Sequence, residues 1–366
     1  MAKPWQITFF VLLVSLWMSY GSIVAEEPNK LSEQDNKTEE LLKELKSCKF
    51  KIIHETYRDN NWELVVRDAD GSNPVNITNT PDIDELYPHV SPDAKKVVFV
   101  ADERKEQELV RNVYLMDIDG AGRVRVAENC RQPFWEPNSK IIGFLGGGRL
   151  SYAEPWLAWP RREDLRPKTL YIYNVETKRY FRHPRKDISG LLNPSWSSNG
   201  KWIVSSVAGG MGFGYSIIAI KANGTKVIEL ERSQRNGGDI WQCRPDISHD
   251  GKRIAWGKED DGDYMCVEVS EIDLDSSEPE VSNPRCVVTV SWPLEIYHVD
   301  WSPDSKFIAY AQGKKGSRMA RAPYVIGNKA TGWDIWVVSP SKPGVAVRIT
   351  QDGLSNKEPD WILVRK

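Results

Sequence analysis

The sequence predicts an all-β protein in which six four-stranded antiparallel sheets close into a ring, a six-bladed β-propeller. Three observations lead to this prediction: a repeat that returns along the chain, a four-strand pattern within each repeat, and a composition suited to strands and turns. The 366 residues include 15 Trp, 26 Gly and 22 Pro, which favours strands joined by tight turns. The 49 basic and 51 acidic side chains nearly balance, which argues against a nucleic-acid binder.

The first 25 residues are typical of a secretory signal peptide. Lys3 precedes an apolar run over residues 7–18, and the small residue Ala25 precedes Glu26. The apolar run has about 12 residues, fewer than the roughly 20 that span a bilayer. We therefore expect a cleaved signal at residues 1–25 and a periplasmic or secreted mature protein with no transmembrane segment. A retained N-terminal anchor is the alternative.

A polar arm over residues 26–48 follows, with a short helix predicted near residues 38–46. We interpret this arm as a tether or a docking segment. Five cysteines follow the signal, and their spacing matches no zinc pattern: Cys48, Cys130, Cys243, Cys266 and Cys286. An odd number leaves at least one cysteine without a partner in the chain. Cys266 and Cys286 are candidates for a disulfide across neighbouring strands, if their geometry allows it.

The internal repeat is centred on an anchor residue that is followed by a polar turn and an apolar run. Residues 301–310 (WSPDSKFIAY) are echoed by residues 90–99 (VSPDAKKVVF). The six anchors are Val90, Trp135, Trp196, Ile247, Trp301 and Trp361, at spacings of 45, 61, 51, 54 and 60 residues. A repeat of this length indicates one structural unit per copy.

Each repeat contains four predicted strands, which we name a to d. Strand a ends at the anchor, strand b is the apolar run after the turn, and strands c and d form a hairpin, as in residues 334–350. Four-stranded units at this period predict a propeller rather than an open sandwich. The first unit, residues 51–78, lacks strand a, whereas the last, residues 357–363, has only strand a. We therefore expect the C-terminal strand to complete the first blade.

The repeats resemble those of TolB-like propellers, known as PD40 or WD40-like repeats. The resemblance rests on the Ser-Pro-Asp-x-Lys-x-Ile-Ala-Tyr run at 302–310, the strand DIWVV at 334–338 and Arg-Ile-Thr at 348–350, and it extends over residues 49–366. TolB itself carries an additional N-terminal α/β domain, for which residues 26–48 are too short. The resemblance therefore implies the propeller alone, an exported binding scaffold without enzymatic activity, and it names no ligand.

A polar column three residues before each anchor is the candidate ligand-binding site. It consists of Tyr87, Gln132, Asn193, Arg244, His298 and Glu358. Proline follows in five of the six copies and constrains the path of strand a. We expect this column at the mouth of the central channel. The column just before the anchors (His89, Phe134, Ser195, Asp246, Asp300 and Asp360) is expected to line the channel below.

Two long insertions lie on the face of the ring that is formed by the b–c and d–a connections. Residues 146–168 carry Trp156 and Trp159, which we add to the candidate ligand-binding residues, and residues 313–332 are rich in Lys and Arg. Loops on a rigid scaffold are where binding residues concentrate. The alternative without a binding role is that the polar column only contacts water in the channel and that the insertions are solvent-exposed loops.

Catalytic motifs are scarce. The chain has no Gly-x-Ser-x-Gly elbow, and His54-Glu55 lacks the second His of a zinc-protease helix. The leading hypothesis is a non-enzymatic scaffold for a protein, peptide or glycan, with no cofactor or metal and no nucleic-acid partner. The alternative is a metal-dependent polysaccharide lyase of the oligogalacturonate type, in which His89 and His298 bind a divalent metal together with Gln132 or Glu358.

Overall fold

The computed structural model describes residues 29–105, 108–146, 169–232, 243–260, 264–276, 278–314, 329 and 332–364. In chain order, the described elements are α1 (Asn29–Ser47), β1 (Phe50–Arg58), β2 (Asn61–Asp68), β3 (Val75–Asn76), β4 (Asp84–Val90), β5 (Lys96–Lys105), β6 (Glu108–Asp117), β7 (Val124–Ala127), β8 (Cys130–Trp135), β9 (Ile141–Gly146), β10 (Thr169–Asn174), β11 (Arg179–Arg182), β12 (Leu191–Trp196), β13 (Trp202–Gly210), β14 (Phe213–Lys221), β15 (Val227–Arg232), β16 (Cys243–Ile247), β17 (Arg253–Asp260), β18 (Tyr264–Asp273), β19 (Glu280–Ser291), β20 (Leu294–Trp301), β21 (Ile308–Lys314), β22 (Asp334–Val338), β23 (Ala346–Arg348) and β24 (Ser355–Leu363).

The strands form six antiparallel four-stranded sheets, which are the blades of a propeller. Blade 1 has the order β24-β1-β2-β3, and blades 2 to 6 contain β4–β7, β8–β11, β12–β15, β16–β19 and β20–β23. The innermost strand of each blade contacts the innermost strands of both neighbouring blades, so the ring is closed. The predicted six-bladed propeller is confirmed.

The C-terminal strand closes the ring, as predicted. Strand β24 pairs antiparallel with β1, from Phe50 opposite Leu363 to Tyr57 opposite Ser355. The anchor Trp361 fills the joint: its ring centroid lies 6.0 Å from that of Phe50, and its Nε1 donates a hydrogen bond to the carbonyl oxygen of Asp300 at 3.1 Å. The two chain ends therefore share one blade and one core.

The anchor residues explain much of the tryptophan content. Trp135, Trp301 and Trp361 are buried between blades. Burying a large apolar side chain stabilises the fold by roughly 1.5–3 kcal/mol. Because each blade must pack a flat sheet against the next, a large aromatic residue at the same position of successive repeats fills the space between them.

The turns between strands a and b repeat one hydrogen-bonding pattern. In blade 6, Ser302 Oγ donates to Asp304 Oδ1 at 2.8 Å and accepts from the Phe307 amide at 2.9 Å. Equivalent Ser hydroxyls occur at Ser91, Ser197 and Ser248. Adjacent turns are also joined, since the Asp250 amide donates to Ser305 Oγ at 3.0 Å. The Ser-Pro-Asp signature thus stabilises both the turn and the contact between blades.

Helix α1 is longer than the predicted segment and packs against blade 6. Leu41 and Leu45 are buried in the same core cluster as Val345 and Val347. Lys342 Nζ lies 2.7 Å from Glu44 Oε1, which fixes the polar side of the helix. In the described part of the chain, no helix has the length and apolar character needed to cross a membrane. The signal predicted at residues 1–25 lies outside the described residues.

One disulfide joins the two outer strands of blade 5. Cys266 on β18 is bonded to Cys286 on β19, with a Cα–Cα distance of 5.7 Å. The candidate pair from the sequence is therefore confirmed. Among the described side chains, Cys48 and Cys130 are free thiols.

Candidate functional site

The polar column is built by a backbone irregularity that recurs in all six innermost strands. Its six residues have φ angles between 49° and 59°, the left-handed region. The pairing between strands a and b shifts register at each of these positions. Left-handed φ is costly for residues other than glycine, and a bulge redirects a side chain. Six repeated bulges therefore turn these side chains towards the channel, and the following proline loses no ladder hydrogen bond there.

All six residues of the column meet inside the channel; together they are called the channel network. On one side, Gln132 Nε2 donates to Asn193 Oδ1 at 2.6 Å, and the Tyr87 hydroxyl donates to the same oxygen at 3.2 Å. The Arg244 guanidinium lies 4.8 Å from the centroid of the Tyr87 ring, a cation–π contact. Tyr87 thus joins blades that are not neighbours.

The charged half of the channel network is centred on Glu358. This carboxylate forms an ion pair with Arg244, and its Oε1 lies 2.8 Å from Nε2 of His298. Five of the six side chains are only 0% to 6% exposed, Asn193 being the exception. These side chains bind one another across the channel, because each one is desolvated and needs a partner. Their role in binding a ligand stays a prediction.

The protonation states of the channel network follow from burial and from these contacts. Burial lowers the pKa of His298, so its imidazole is neutral at pH 7. Burial alone would raise the pKa of Glu358, but the positive charges of Arg244 and Lys357 and the contact with His298 outweigh burial and hold the pKa below its usual value. The network therefore carries one carboxylate and one guanidinium that neutralise each other.

A second buried ion pair lies next to the channel network, between β24 and β1. This pair was not predicted from the sequence. Lys357 Nζ lies 3.4 Å from Glu55 Oε1, and both side chains are fully buried. Glu55 Oε2 accepts a hydrogen bond from the Tyr87 amide at 3.0 Å, which stabilises the bulge of blade 2. Burial raises the pKa of Glu55 to about 7. The available signal was a glutamate within the apolar stretch of β1.

Polar residues of the column just before the anchors contact one another next to the channel network. His89 Nδ1 lies 3.1 Å from Asp360 Oδ2, and Ser195 Oγ donates to Asp246 Oδ1 at 2.7 Å. Burial, and then the neighbouring carboxylates of Asp360 and Asp246, raise the pKa of Asp300 well above its usual value. The carboxylates of Asp246, Asp300 and Asp360 therefore approach one another. Phe134, in contrast, packs in the apolar core between blades 3 and 4, and the lining role of this column stays a prediction.

His89, Asp300 and Asp360 offer possible metal-ligand atoms within 4.8 Å of one another. The hydrogen bonds of His89 oppose this use. Arg244 Nη2 lies 2.9 Å from His89 Nε2, and because a guanidinium only donates, Nε2 must accept. The ring proton is then on Nδ1, which donates to Asp360. Neither ring nitrogen has a free lone pair for a cation in this arrangement.

Asn193 is the point at which the channel network remains open to a ligand. Its side-chain Oδ1 accepts the hydrogen bonds from Gln132 and Tyr87. Its backbone N–H donates to Gln132 Oε1 at 3.3 Å. No acceptor for its Nδ2 lies among the described residues. It is the third residue of β12, whose first residue follows a d–a connection. The end of the ring that carries the b–c and d–a connections is called the loop face. Asn193 thus lies near the end of its strand that is closest to this face.

Trp156 and Trp159, the two remaining predicted site residues, lie outside the described residues. The described part of the loop face consists of the short connections between strands.

Comparison with known proteins bears on the fold alone. No protein-family profile and no curated protein matches the sequence. TolB from Acinetobacter baumannii is similar in structure, with a TM-score of 0.58 and 18% identity over 85% of this chain and 66% of the TolB chain. A chain of a nidogen/laminin complex gives a TM-score of 0.55 at 6% identity, over 87% of this chain and 100% of that one. An oligogalacturonate lyase in complex with manganese gives a TM-score of 0.49 at 12% identity, over 82% of this chain and 74% of the lyase chain.

None of these similarities exceeds 18% identity. A shared fold does not transfer an activity, and the lyase similarity is too low to support any argument. This chain covers 66% of the length of the TolB chain. The chain therefore has the fold of a TolB-like propeller.

Proposed function

We propose that this chain is an exported binding scaffold, without enzymatic activity of its own, that recognises a protein, peptide or glycan partner at its loop face. The channel network provides a rigid floor for this face, and the insertion carrying Trp156 and Trp159 adds aromatic contacts. The periplasmic or secreted location inferred from residues 1–25 belongs to the same proposal.

The observation that supports this proposal is the side-chain amide of the half-buried Asn193, whose Nδ2 has no acceptor among the described residues. The buried side chains that contact one another around it hold the backbone in place. A donor held in place before binding loses little conformational entropy when a ligand arrives. Such an arrangement suits recognition better than catalysis.

The proposal is tested with a pair of isosteric variants. Asn193→Asp keeps the oxygen that accepts from Gln132 and Tyr87 but removes the Nδ2 donor. Asn223→Asp makes the same change on the opposite face of blade 4, where Asn223 Oδ1 accepts from the Thr225 amide at 3.1 Å. The full chain is first screened against exported proteins, peptides and a glycan array, and the recovered partner is titrated against both variants.

We expect Asn193→Asp to weaken binding at least tenfold, which is about 1.4 kcal/mol, and Asn223→Asp to bind like the unchanged chain. Equal affinities for all three proteins would refute the assignment of the site to the channel side of the loop face.

A metal-dependent lyase is the second candidate, because His89, Asp300 and Asp360 offer possible metal-ligand atoms within 4.8 Å of one another. A cation there would have to displace the contact of His89 with Arg244 or with Asp360. Purified protein is analysed for bound metal and then incubated with pectic oligomers and Mn²⁺. A stoichiometric metal together with an unsaturated product would replace the scaffold by a lyase. No metal and no unsaturated product would remove this candidate.

A further inference from the structure

Strand β11, the outermost strand of blade 3, is an exposed sheet edge. It pairs with β10 on one side, and no other described strand pairs with it. All four of its residues are exposed, including two aromatic side chains: Tyr180 is 58% and Phe181 is 56% exposed. An exposed edge with aromatic side chains is unusual, since proteins normally cover or blunt such edges. In blade 6, by contrast, α1 packs against the outermost strand, β23.

The backbone of β11 presents free hydrogen-bonding groups at this edge. The His183 amide donates to the Leu170 carbonyl at 2.8 Å, and the register continues with Phe181 opposite Ile172. Hydrogen-bonded and non-hydrogen-bonded pairs alternate along an antiparallel ladder. The N–H and C=O groups of Tyr180 and Arg182 therefore point away from β10, towards the position of a further strand.

The side chains of β11 make this edge cationic. Among the residues that the structure describes, Arg179, Arg182 and the adjacent Lys178 have no ion-pair partner. No acidic residue occurs between positions 177 and 183. Because side chains alternate along a strand, each face of β11 carries one aromatic residue and one arginine.

Charge also decides between the two kinds of strand that can occupy this edge. A second copy of β11, paired by two-fold symmetry, would bring the three cations of each chain together with no acidic residue among them. Like charges at neighbouring cross-strand positions are destabilising. A strand with acidic residues opposite Arg179 and Arg182, and apolar residues opposite the two aromatic rings, satisfies both the charges and the apolar surface.

We propose that the outer edge of β11 binds an extended acidic segment of a partner protein, which adds a fifth strand to blade 3. Main-chain hydrogen bonds from Tyr180 and Arg182 supply affinity, and the two arginines select acidic side chains. This surface lies at the perimeter of the ring and is separate from the loop face, so it does not depend on the proposed function.

The probe is a fluorescein-labelled decapeptide with the core Glu-Val-Val-Glu, titrated into the full chain and followed by fluorescence anisotropy. The comparison peptides are one with the core Lys-Val-Val-Lys and a Glu-Val-Val-Glu peptide whose alternate amides are N-methylated, which blocks strand pairing. The protein variant is Arg179→Glu with Arg182→Glu. Its control is Arg125→Glu with Arg285→Glu, which makes the same change in net charge on the outer strands of blades 2 and 5.

We expect saturable binding of the acidic peptide that weakens at least fivefold in Arg179→Glu/Arg182→Glu and in 0.5 M salt, but not in the control variant. We also expect no saturable binding of the Lys-Val-Val-Lys or N-methylated peptides. The proposal is overturned if the acidic peptide does not bind, if the N-methylated peptide binds equally well, or if the two double variants behave alike. Dimerisation of the unchanged chain that Arg179→Glu/Arg182→Glu abolishes would also overturn it, in favour of a second copy.

Discussion

Arg244 on the innermost strand of blade 5 forms an ion pair with Glu358 on the innermost strand of blade 1, across the strand of blade 6 that lies between them. The same guanidinium contacts the Tyr87 ring of blade 2 and His89. The Arg244 side chain therefore connects blade 5 with blades 1 and 2, across the place where the C-terminal strand closes the ring. Because it is buried, its contacts are screened little by solvent.

The first prediction concerns this pair. Arg244→Ala removes the guanidinium that pairs with the buried Glu358 carboxylate and leaves only the weaker influence of His298 and Lys357. Breaking a buried pair from one side costs about 3–5 kcal/mol, and we expect the melting temperature to fall by more than about 5 °C. The measurement is thermal denaturation followed by tryptophan fluorescence.

The matched control is the double variant Arg244→Met with Glu358→Gln, which leaves no unpaired buried charge. We expect it to melt above Arg244→Ala, because residues in direct contact are not additive. A double variant that is less stable than the single variant would show that the pair itself, rather than the uncompensated charge, controls stability.

The second prediction concerns Glu85, a fully buried carboxylate on β4 that is paired with Arg123. Burial raises its pKa to about 7, from an ordinary value of 4.5. A raised carboxylate pKa means that the folded state resists ionisation, so the contribution of Glu85 to stability is complete below pH 4.5 and is lost as the pH rises through 7. Glu85→Gln imitates the protonated form and should remove this loss.

We therefore expect Glu85→Gln to gain stability relative to the unchanged chain between pH 5 and pH 8, by up to about 3 kcal/mol. Urea denaturation at both pH values measures the difference. If the free energy of unfolding varies with pH in the same way for both proteins, Glu85 is already ionised in the folded state at pH 5, and the prediction is wrong.

The third prediction concerns the Cys266–Cys286 bond, whose two residues are separated by 20 positions. Replacing both by Ser should lower the free energy of unfolding by about 2–4 kcal/mol, because the unfolded chain regains the freedom of a closed loop. Thermal denaturation with and without a reductant measures this. The double variant should not respond to the reductant, and an unchanged chain that melts identically in both conditions would contradict the bond.

The repeat made the fold predictable because each copy carries the same anchor and turn, so one interpretation of WSPDSKFIAY applies to six places. The same alignment located all six members of the channel network. It did not predict their burial, since the pairing of Tyr87 with Asn193 and of Arg244 with Glu358 crosses non-adjacent blades and has no period in the sequence. Glu55 and Lys357 were missed for a similar reason: they lie at opposite ends of the sequence, and only the pairing of β1 with β24 brings them together.

The exposed edge of β11 was also invisible in the sequence. Residues 179–182 (RYFR) have the character of an ordinary strand d, and the repeat does not show that two aromatic side chains remain uncovered there. Exposure depends on what packs against a blade from outside, as α1 does for blade 6.

The central claim is that a partner is recognised at the loop face, above the channel network. Hydrogen–deuterium exchange of the full chain, with and without the partner recovered in the screen, tests it most directly. We expect binding to slow exchange in the d–a connections and the first residues of the innermost strands, above all in residues 183–193. Slowed exchange confined to the opposite turns, such as residues 197–201, 222–226 and 248–252, would contradict the claim.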